Sequence, residues 1–88
     1  MTENQYTSIA IVSPQQITRN ILEHLLKFLG NNVSVLCSDS QAFLINTRKN
    51  GPPDICLLDC ELHETDGFTI TKIIKKTWPQ AKVCLFIK

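Results

Sequence analysis

Glycine is scarce in this 88-residue chain, and Gly30, Gly51 and Gly67 stand far apart. None of the three follows a strand-like run in a G-x-G arrangement, so a glycine-rich phosphate loop for nucleotide binding is excluded. An apolar run of membrane-spanning length and a signal-like N-terminus are also lacking. We therefore predict a soluble, cytoplasmic protein that makes no membrane contact.

Charge excess of either sign is also small. Nine basic and eight acidic residues leave a formal net charge of +1, which falls short of the basic excess expected of a nucleic-acid-binding domain. Direct contact with nucleic acid is not expected.

The cysteines do not form a recognisable metal or redox motif. Cys37, Cys56, Cys60 and Cys84 contain no Cys-x-x-Cys pair, and three of them lie in or beside apolar runs. We expect them to be buried free thiols, with Cys60 the best placed to be reached by solvent.

Apolar periodicity predicts a single α/β domain over residues 1–88. Short β-branched or continuous apolar runs, typical of buried parallel strands, alternate with amphipathic stretches that have helical spacing. The predicted strands are 8–12, 32–37, 54–59 and 82–88, and the predicted helices begin near residues 17, 40 and 66. This alternation predicts right-handed parallel crossovers within one sheet.

Asp59 closes the third predicted strand. The carboxyl ends of parallel strands border the crevice where such folds bind ligands, which makes Asp59 a candidate phosphoacceptor or metal ligand. Aspartate is also a common turn residue at strand ends. From spacing alone, a simple loop cap is the more ordinary interpretation.

Taken together, these runs resemble the receiver domain of bacterial two-component response regulators. The residues that carry the resemblance are 9–12, 17–29, 54–59, Leu62, Asp66, Gly67 and 73–76. The resemblance implies a doubly wound, flavodoxin-like parallel sheet of strand order 2-1-3-4. It also implies that the family's last helix, strand and helix are absent, so that residues 1–88 form a truncated receiver.

The same resemblance implies a signalling module, not an enzyme, with Asp59 at the phosphoacceptor position. In this family a histidine kinase supplies the phosphoryl group and Mg²⁺ assists its transfer. A hard cation held by several oxygens neutralises charge at the transferring group.

Matched to the family, the chain departs at several site positions. Ser13 and Pro14 replace the acid pair that holds Mg²⁺, and Ile87 stands at the position of the family's hydroxyl residue. The backbone carbonyl of Glu61 matches a family metal ligand, so Asp59 and Glu61 keep part of a site. We expect Mg²⁺ to bind weakly if at all.

Other acids are not expected to rebuild that site. Asp54 lies at the opposite end of the Asp59 strand, about 16 Å away, and Asp39 lies two strand spacings away, about 10 Å. Asp39 is better explained as a helix cap.

These observations predict an atypical receiver that acts as an interaction module. Its partners would be a histidine kinase or another signalling protein, together with a second copy of itself. Self-association would use the exposed edge of the fourth strand or an exchange of elements. The alternative is a working receiver, phosphorylated on Asp59, at the N-terminus of a DNA-binding transcription regulator.

Overall fold

The computed structural model describes residues 7–62 and 67–87, which form four strands and three helices. In chain order these are β1 (Ser8–Val12), α1 (Gln16–Phe28), β2 (Asn32–Cys37), α2 (Ser40–Asn50), β3 (Ile55–Asp59), α3 (Gly67–Thr77) and β4 (Lys82–Phe86). No helix within the described ranges is long and apolar enough to cross a membrane.

The strands form one parallel sheet of order β2-β1-β3-β4, which confirms the predicted fold and strand order. In the centre of the sheet Ala10 pairs with Cys56, and Cys56 pairs with Val83. Parallel pairing brings the carboxyl ends of β1 and β3 to the same edge. That edge carries the candidate site.

The core lies between the sheet and the helices α2 and α3. Ala10, Val12, Cys56 and Leu58 point to this side and pack with Phe43 of α2. Ile70 and Ile74 of α3 complete the same cluster. Side chains alternate along a strand, so Ile9 and Ile11 face the other side of the sheet, where α1 lies.

Local signals account for the helix ends that are described. The Asp39 carboxylate accepts a hydrogen bond from the Ala42 amide at 2.7 Å, which confirms its predicted role as a cap of α2. Gly30, with φ of 90°, follows α1 in the left-handed region that glycine adopts at helix ends. Asp66, near which the third helix is predicted to begin, lies outside the described residues.

All four cysteines are free, but the prediction that they are buried is only partly correct. Cys37 and Cys56 are buried and Cys60 is half-buried, whereas Cys84 is exposed. Cys84 lies on β4, at one edge of the sheet, and α3 packs on β4 from the opposite face.

Buried Cys56 is expected to make the domain less stable at high pH. Burial raises the pKa of its thiol from 9.0 to about 11, because desolvation disfavours the thiolate. Below pH 9 both folded and unfolded states keep the proton, so stability is unaffected. Between pH 9 and about 11 the unfolded state loses the proton while the folded state keeps it, which favours unfolding by up to about 2.7 kcal/mol.

Urea unfolding at about pH 8 and about pH 10.5 measures this loss. The Cys56→Ala variant is the control, since other groups also titrate in that range. The free energy of unfolding should fall less between the two pH values in the variant than in the natural chain. An equal fall in both would contradict the assignment to Cys56.

Candidate functional site at the carboxyl edge of the sheet

Ser13 and Asp59 meet at the carboxyl edge of the two central strands. Val12 pairs with Leu58, so the residues that follow them are neighbours although 46 positions separate them in the sequence. Both side chains are fully buried. A buried carboxylate at this edge requires hydrogen-bond partners within the protein.

Both oxygens of the Asp59 carboxylate accept hydrogen bonds. The Ser13 hydroxyl donates to Oδ2 at 2.9 Å, and the Glu61 amide donates to Oδ1 at 2.9 Å. The Ser13 hydroxyl oxygen itself lies 3.3 Å from the Gln15 amide, which donates to it. The bond from the Glu61 amide makes Asp59 a cap of its own loop, as the more ordinary interpretation predicts. Its role as a phosphoacceptor or metal ligand stays a prediction.

Arg19 adds a positive charge at this edge. Its guanidinium donates to the Ser13 carbonyl oxygen at 2.6 Å, so Ser13 contacts Arg19 through its backbone and Asp59 through its side chain. Arg19 was not among the site residues predicted from the sequence. Its position in the first turns of the helix that follows β1 was the available signal, because that end of the helix lies beside the carboxyl edge of the sheet.

The described residues do not fit a magnesium ion. Among residues 7–62 and 67–87 no three His, Cys, Asp or Glu side chains cluster as a metal site. Pro14 offers no side-chain ligand, and Asp39 is engaged as the cap of α2. Asp54 accepts hydrogen bonds from the amide and hydroxyl of Ser8 at the opposite edge of the sheet.

The other predicted site positions are placed as follows. Phe86 pairs with Asp59, and its carbonyl accepts a hydrogen bond from the Cys60 amide at 3.0 Å. Ile87 follows β4 with 78% of its surface exposed, so an apolar side chain extends from this end of the strand. The role of the Glu61 carbonyl as a metal ligand stays a prediction.

Gly67 begins α3 where the helix meets the end of β3. A Cβ atom at this position would lie 2.7 Å from Leu85 Cδ2 and 3.3 Å from the Asp59 carbonyl oxygen. The absence of a side chain therefore lets the helix approach the site closely.

An open cavity of about 290 Å³ lies far from Asp59. Prolines 52, 53 and 79 line it together with Trp78 and Asp54. Since Asp54 precedes β3 and Asp59 ends it, the cavity belongs to the opposite edge of the sheet. The candidate site at Asp59 therefore lies at the other edge of the sheet and does not share this cavity.

Comparisons with known proteins agree with this geometry. The model of the response regulator receiver domain family matches residues 9–87. The Fimbriae Z protein of Escherichia coli K12 is 34% identical over 77 residues, which are 88% of this chain and 37% of that protein. The chain thus spans little more than a third of this curated relative.

Two solved structures show the same fold. The CheX–CheY complex of Borrelia burgdorferi with BeF₃⁻ and magnesium gives a TM-score of 0.83 at 23% identity, covering 91% of this chain and 60% of that one. RcsB of Salmonella enterica serovar Typhimurium, bound to the promoter rprA with phosphomimetic BeF₃⁻, gives 0.79 at 22% identity, covering 92% and 42%. With the family match over nearly the whole chain, the protein belongs to the response regulator receiver domains of two-component signalling.

Proposed function

We propose that this chain is an atypical, cytoplasmic receiver domain that works as a protein-interaction module with little or no magnesium-dependent phosphorylation. The observation that carries the proposal is the buried hydrogen bond from the Ser13 hydroxyl to Asp59 Oδ2, 2.9 Å long. A neutral hydroxyl thus contacts the carboxylate from a position where the resemblance to the family expects an acid.

The replacement of the family's two acids by Ser13 and Pro14 matters because it removes negative charge. Transfer of a phosphoryl group to a carboxylate brings two negative groups together, and a bound cation normally neutralises them. Ser13 is uncharged and Pro14 has no ligand atom, so weak magnesium binding is expected at Asp59. The half-buried Arg19 side chain donates to the Ser13 carbonyl oxygen. Its guanidinium carries only N–H donors, so it cannot be one of the oxygen ligands that magnesium needs.

The interaction role rests on surfaces that the described residues leave uncovered. β4 ends the sheet, with β3 on one side only. The Lys82 amide donates to the Asp54 carbonyl, so alternation of the parallel ladder points the Val83 and Leu85 amides away from β3. Partners of the module would be a histidine kinase or another signalling protein, and a second copy joined at this edge or by exchange of elements.

Incubation with a small-molecule phosphodonor and Mg²⁺, followed by intact-mass measurement, tests the loss of phosphorylation. We expect no gain of a phosphoryl group under conditions that fully label a competent receiver run in parallel. The Asp59→Asn variant is the matched control. A gain in the natural chain that disappears in this variant would contradict the proposal.

That outcome would favour a second function, a working receiver phosphorylated on Asp59 within a DNA-binding transcription regulator. The observation that favours it is coverage, because the chain matches only 37% of Fimbriae Z protein and 42% of an RcsB bound to a promoter. The coding sequence after Lys88 would then be expected to continue into an output domain.

A further inference from the structure

Basic side chains gather at the amino edge of the sheet, where the strands begin, on the side that α2 and α3 cover. The last turns of both helices are basic, and Lys82 is the first residue of β4. In parallel crossovers the helix ends and the strand beginnings lie at the same edge. Five of the nine basic residues of the chain are therefore found here, all of them exposed, and we call them the basic rim: Arg48, Lys49, Lys75, Lys76 and Lys82.

The charge of the basic rim is not neutralised by the described part of the chain. None of its five members forms an ion pair with another described residue. Asp54 is the nearest described acid along the chain to Lys49 and to Lys82, and its Oδ2 atom already accepts hydrogen bonds from the amide and the hydroxyl of Ser8. The rim therefore presents an excess of positive charge to solvent.

Helix stability alone does not account for this surface. Cations in the last turn of a helix interact favourably with its macrodipole, which gives an ordinary reason for the basic residues of α2 and α3. Lys82 lies on a strand instead, and its amide donates to the Asp54 carbonyl oxygen at 3.0 Å. The positive surface thus continues from the helix ends onto the sheet.

A mainly apolar cavity separates the two basic helix ends. This Trp78 cavity is open, has a volume of about 290 Å³, and lies between the segment 52–54, which follows α2, and the segment 77–81, which ends α3. The Lys75 ammonium donates to the carbonyl oxygens of Pro79 at 3.0 Å and of Ala81 at 2.7 Å. A cation is therefore fixed against one wall of the cavity.

The Trp78 cavity suits one apolar side chain of a larger partner. Sites for small organic ligands enclose roughly 300–1,000 Å³, so a volume of about 290 Å³ is at the lower limit. Trp78 is half-buried and packs against the core, so its ring is not a free platform on which nucleobases stack. The net charge of +1 is also too small for a nucleic-acid-binding domain.

We propose that the basic rim and the Trp78 cavity bind an acidic segment of a partner protein. Carboxylates of the segment contact the rim, and one apolar side chain between them enters the cavity. Charge complementarity selects this occupant, because the rim attracts an anionic chain and disfavours a cationic one. The inference rests on the interaction role in the proposed function and places one such contact at the edge opposite to Asp59.

Trp78 is the only tryptophan of the chain, so its fluorescence reports directly on the cavity. The probe is a synthetic peptide of alternating Glu and Gln residues with one Leu at its centre. We expect a saturable change of Trp78 fluorescence at about 0.1 M salt and much weaker binding at about 1 M, where the Debye length falls to about 3 Å. Replacement of the peptide's Leu by Ser should weaken binding about tenfold or more.

Substitutions in the basic rim test the role of charge. Lys76→Gln and Lys82→Gln each remove one exposed cation whose side chain makes no hydrogen bond with another described residue. Each should weaken binding of the Leu peptide about twofold to fivefold. Lys27→Gln is the matched control, because it removes one exposed lysine from α1, across the sheet, and should leave the affinity unchanged. Urea unfolding verifies that all three variants are folded.

Several outcomes would overturn the inference. One is the absence of a saturable fluorescence change with the Leu peptide, and another is equal binding of a peptide in which Lys replaces Glu. Unchanged affinity in the Lys76→Gln and Lys82→Gln variants would remove the assignment to the rim. Tighter binding of a single-stranded oligonucleotide, weakened by the same substitutions, would overturn it in favour of a nucleic-acid surface.

These measurements are separable from the tests of the proposed function. Phosphodonor labelling reports on Asp59, and light scattering after size exclusion reports on self-association. Failure of the acidic peptide to bind would leave both of those proposals standing, and a labelled Asp59 would leave the basic rim unaffected.

Discussion

Replacement of Ser13 and Pro14 by aspartates is expected to give the domain a stability that depends on magnesium, which we do not expect of the natural chain. The substitution would place two carboxylates beside the buried Asp59 carboxylate, where like charges repel strongly in a poorly solvated site. Without metal the variant should therefore be less stable than the natural chain. Mg²⁺ would neutralise the group and reverse the loss.

The coupling of magnesium binding to folding sets the size of the stabilisation. A ligand that binds only the folded state at one hundred times its Kd adds about 2.7 kcal/mol to the free energy of unfolding. Urea unfolding of the Ser13→Asp/Pro14→Asp variant, in saturating Mg²⁺ and in EDTA, should show a difference of this order. The natural chain should show almost none.

Adding Asp59→Asn to the variant provides the control, because it removes one of the three carboxylates. The magnesium effect should then fall sharply. Equal stabilisation of the natural chain by Mg²⁺ would contradict the account of Ser13 and Pro14, since it would show that the present residues already hold the ion.

The Ser13→Ala substitution is expected to destabilise the natural chain by about 2 kcal/mol. It removes the donor to Asp59 Oδ2 and leaves a buried carboxylate oxygen without that partner. A hydrogen bond to a charged group contributes roughly 1.5–3 kcal/mol, and a buried acceptor that loses its donor carries the cost of desolvation. The measurement is the free energy of unfolding in urea.

Ser8→Ala is a matched control at the other edge of the sheet. The Ser8 hydroxyl donates to Asp54 Oδ2 at 3.2 Å across the same 46 residues, but this pair is exposed to solvent. Water can replace the lost partner there, so the cost should stay below about 1 kcal/mol. Equal costs for the two substitutions would show that burial of Asp59 does not strengthen its bond to Ser13.

A double-mutant cycle with Asp59→Asn isolates the interaction. If the Ser13 hydroxyl acts through the carboxylate, Ser13→Ala should cost less in the Asp59→Asn background than in the natural one. The change in cost is the coupling energy of the pair.

Most of the fold could be predicted from local sequence signals. The β-branched run at Ser8–Val12 and the apolar run that ends at Asp59 predict buried strands, because both faces of a central parallel strand are covered. Asp39 was identified as a cap from its position before an apolar helix. The strand order itself came from the resemblance to receiver domains, since periodicity within each segment does not specify which strands are neighbours.

Two features escaped sequence reasoning because they depend on distant segments. The prediction that Cys84 is buried was wrong, since an apolar strand is covered only where another element packs against it. The contact between Arg19 and the Ser13 carbonyl depends on how α1 lies against the end of β1. Neither the direction of a long side chain nor the cover over a strand face is encoded in local spacing.

The sequence by itself determined the residue types at the site: a carboxylate at the end of β3, and a serine and a proline where the family's acids stand. These identities set which chemistry is available, because neither a hydroxyl nor a proline supplies a negative metal ligand. Only the tertiary structure decided that the Ser13 side chain donates to Asp59 in a buried hydrogen bond, and which apolar side chains of α1 the described sheet leaves exposed. Both depend on parallel pairing and on the side of the sheet each helix covers, which arise only when segments far apart in the chain pack together.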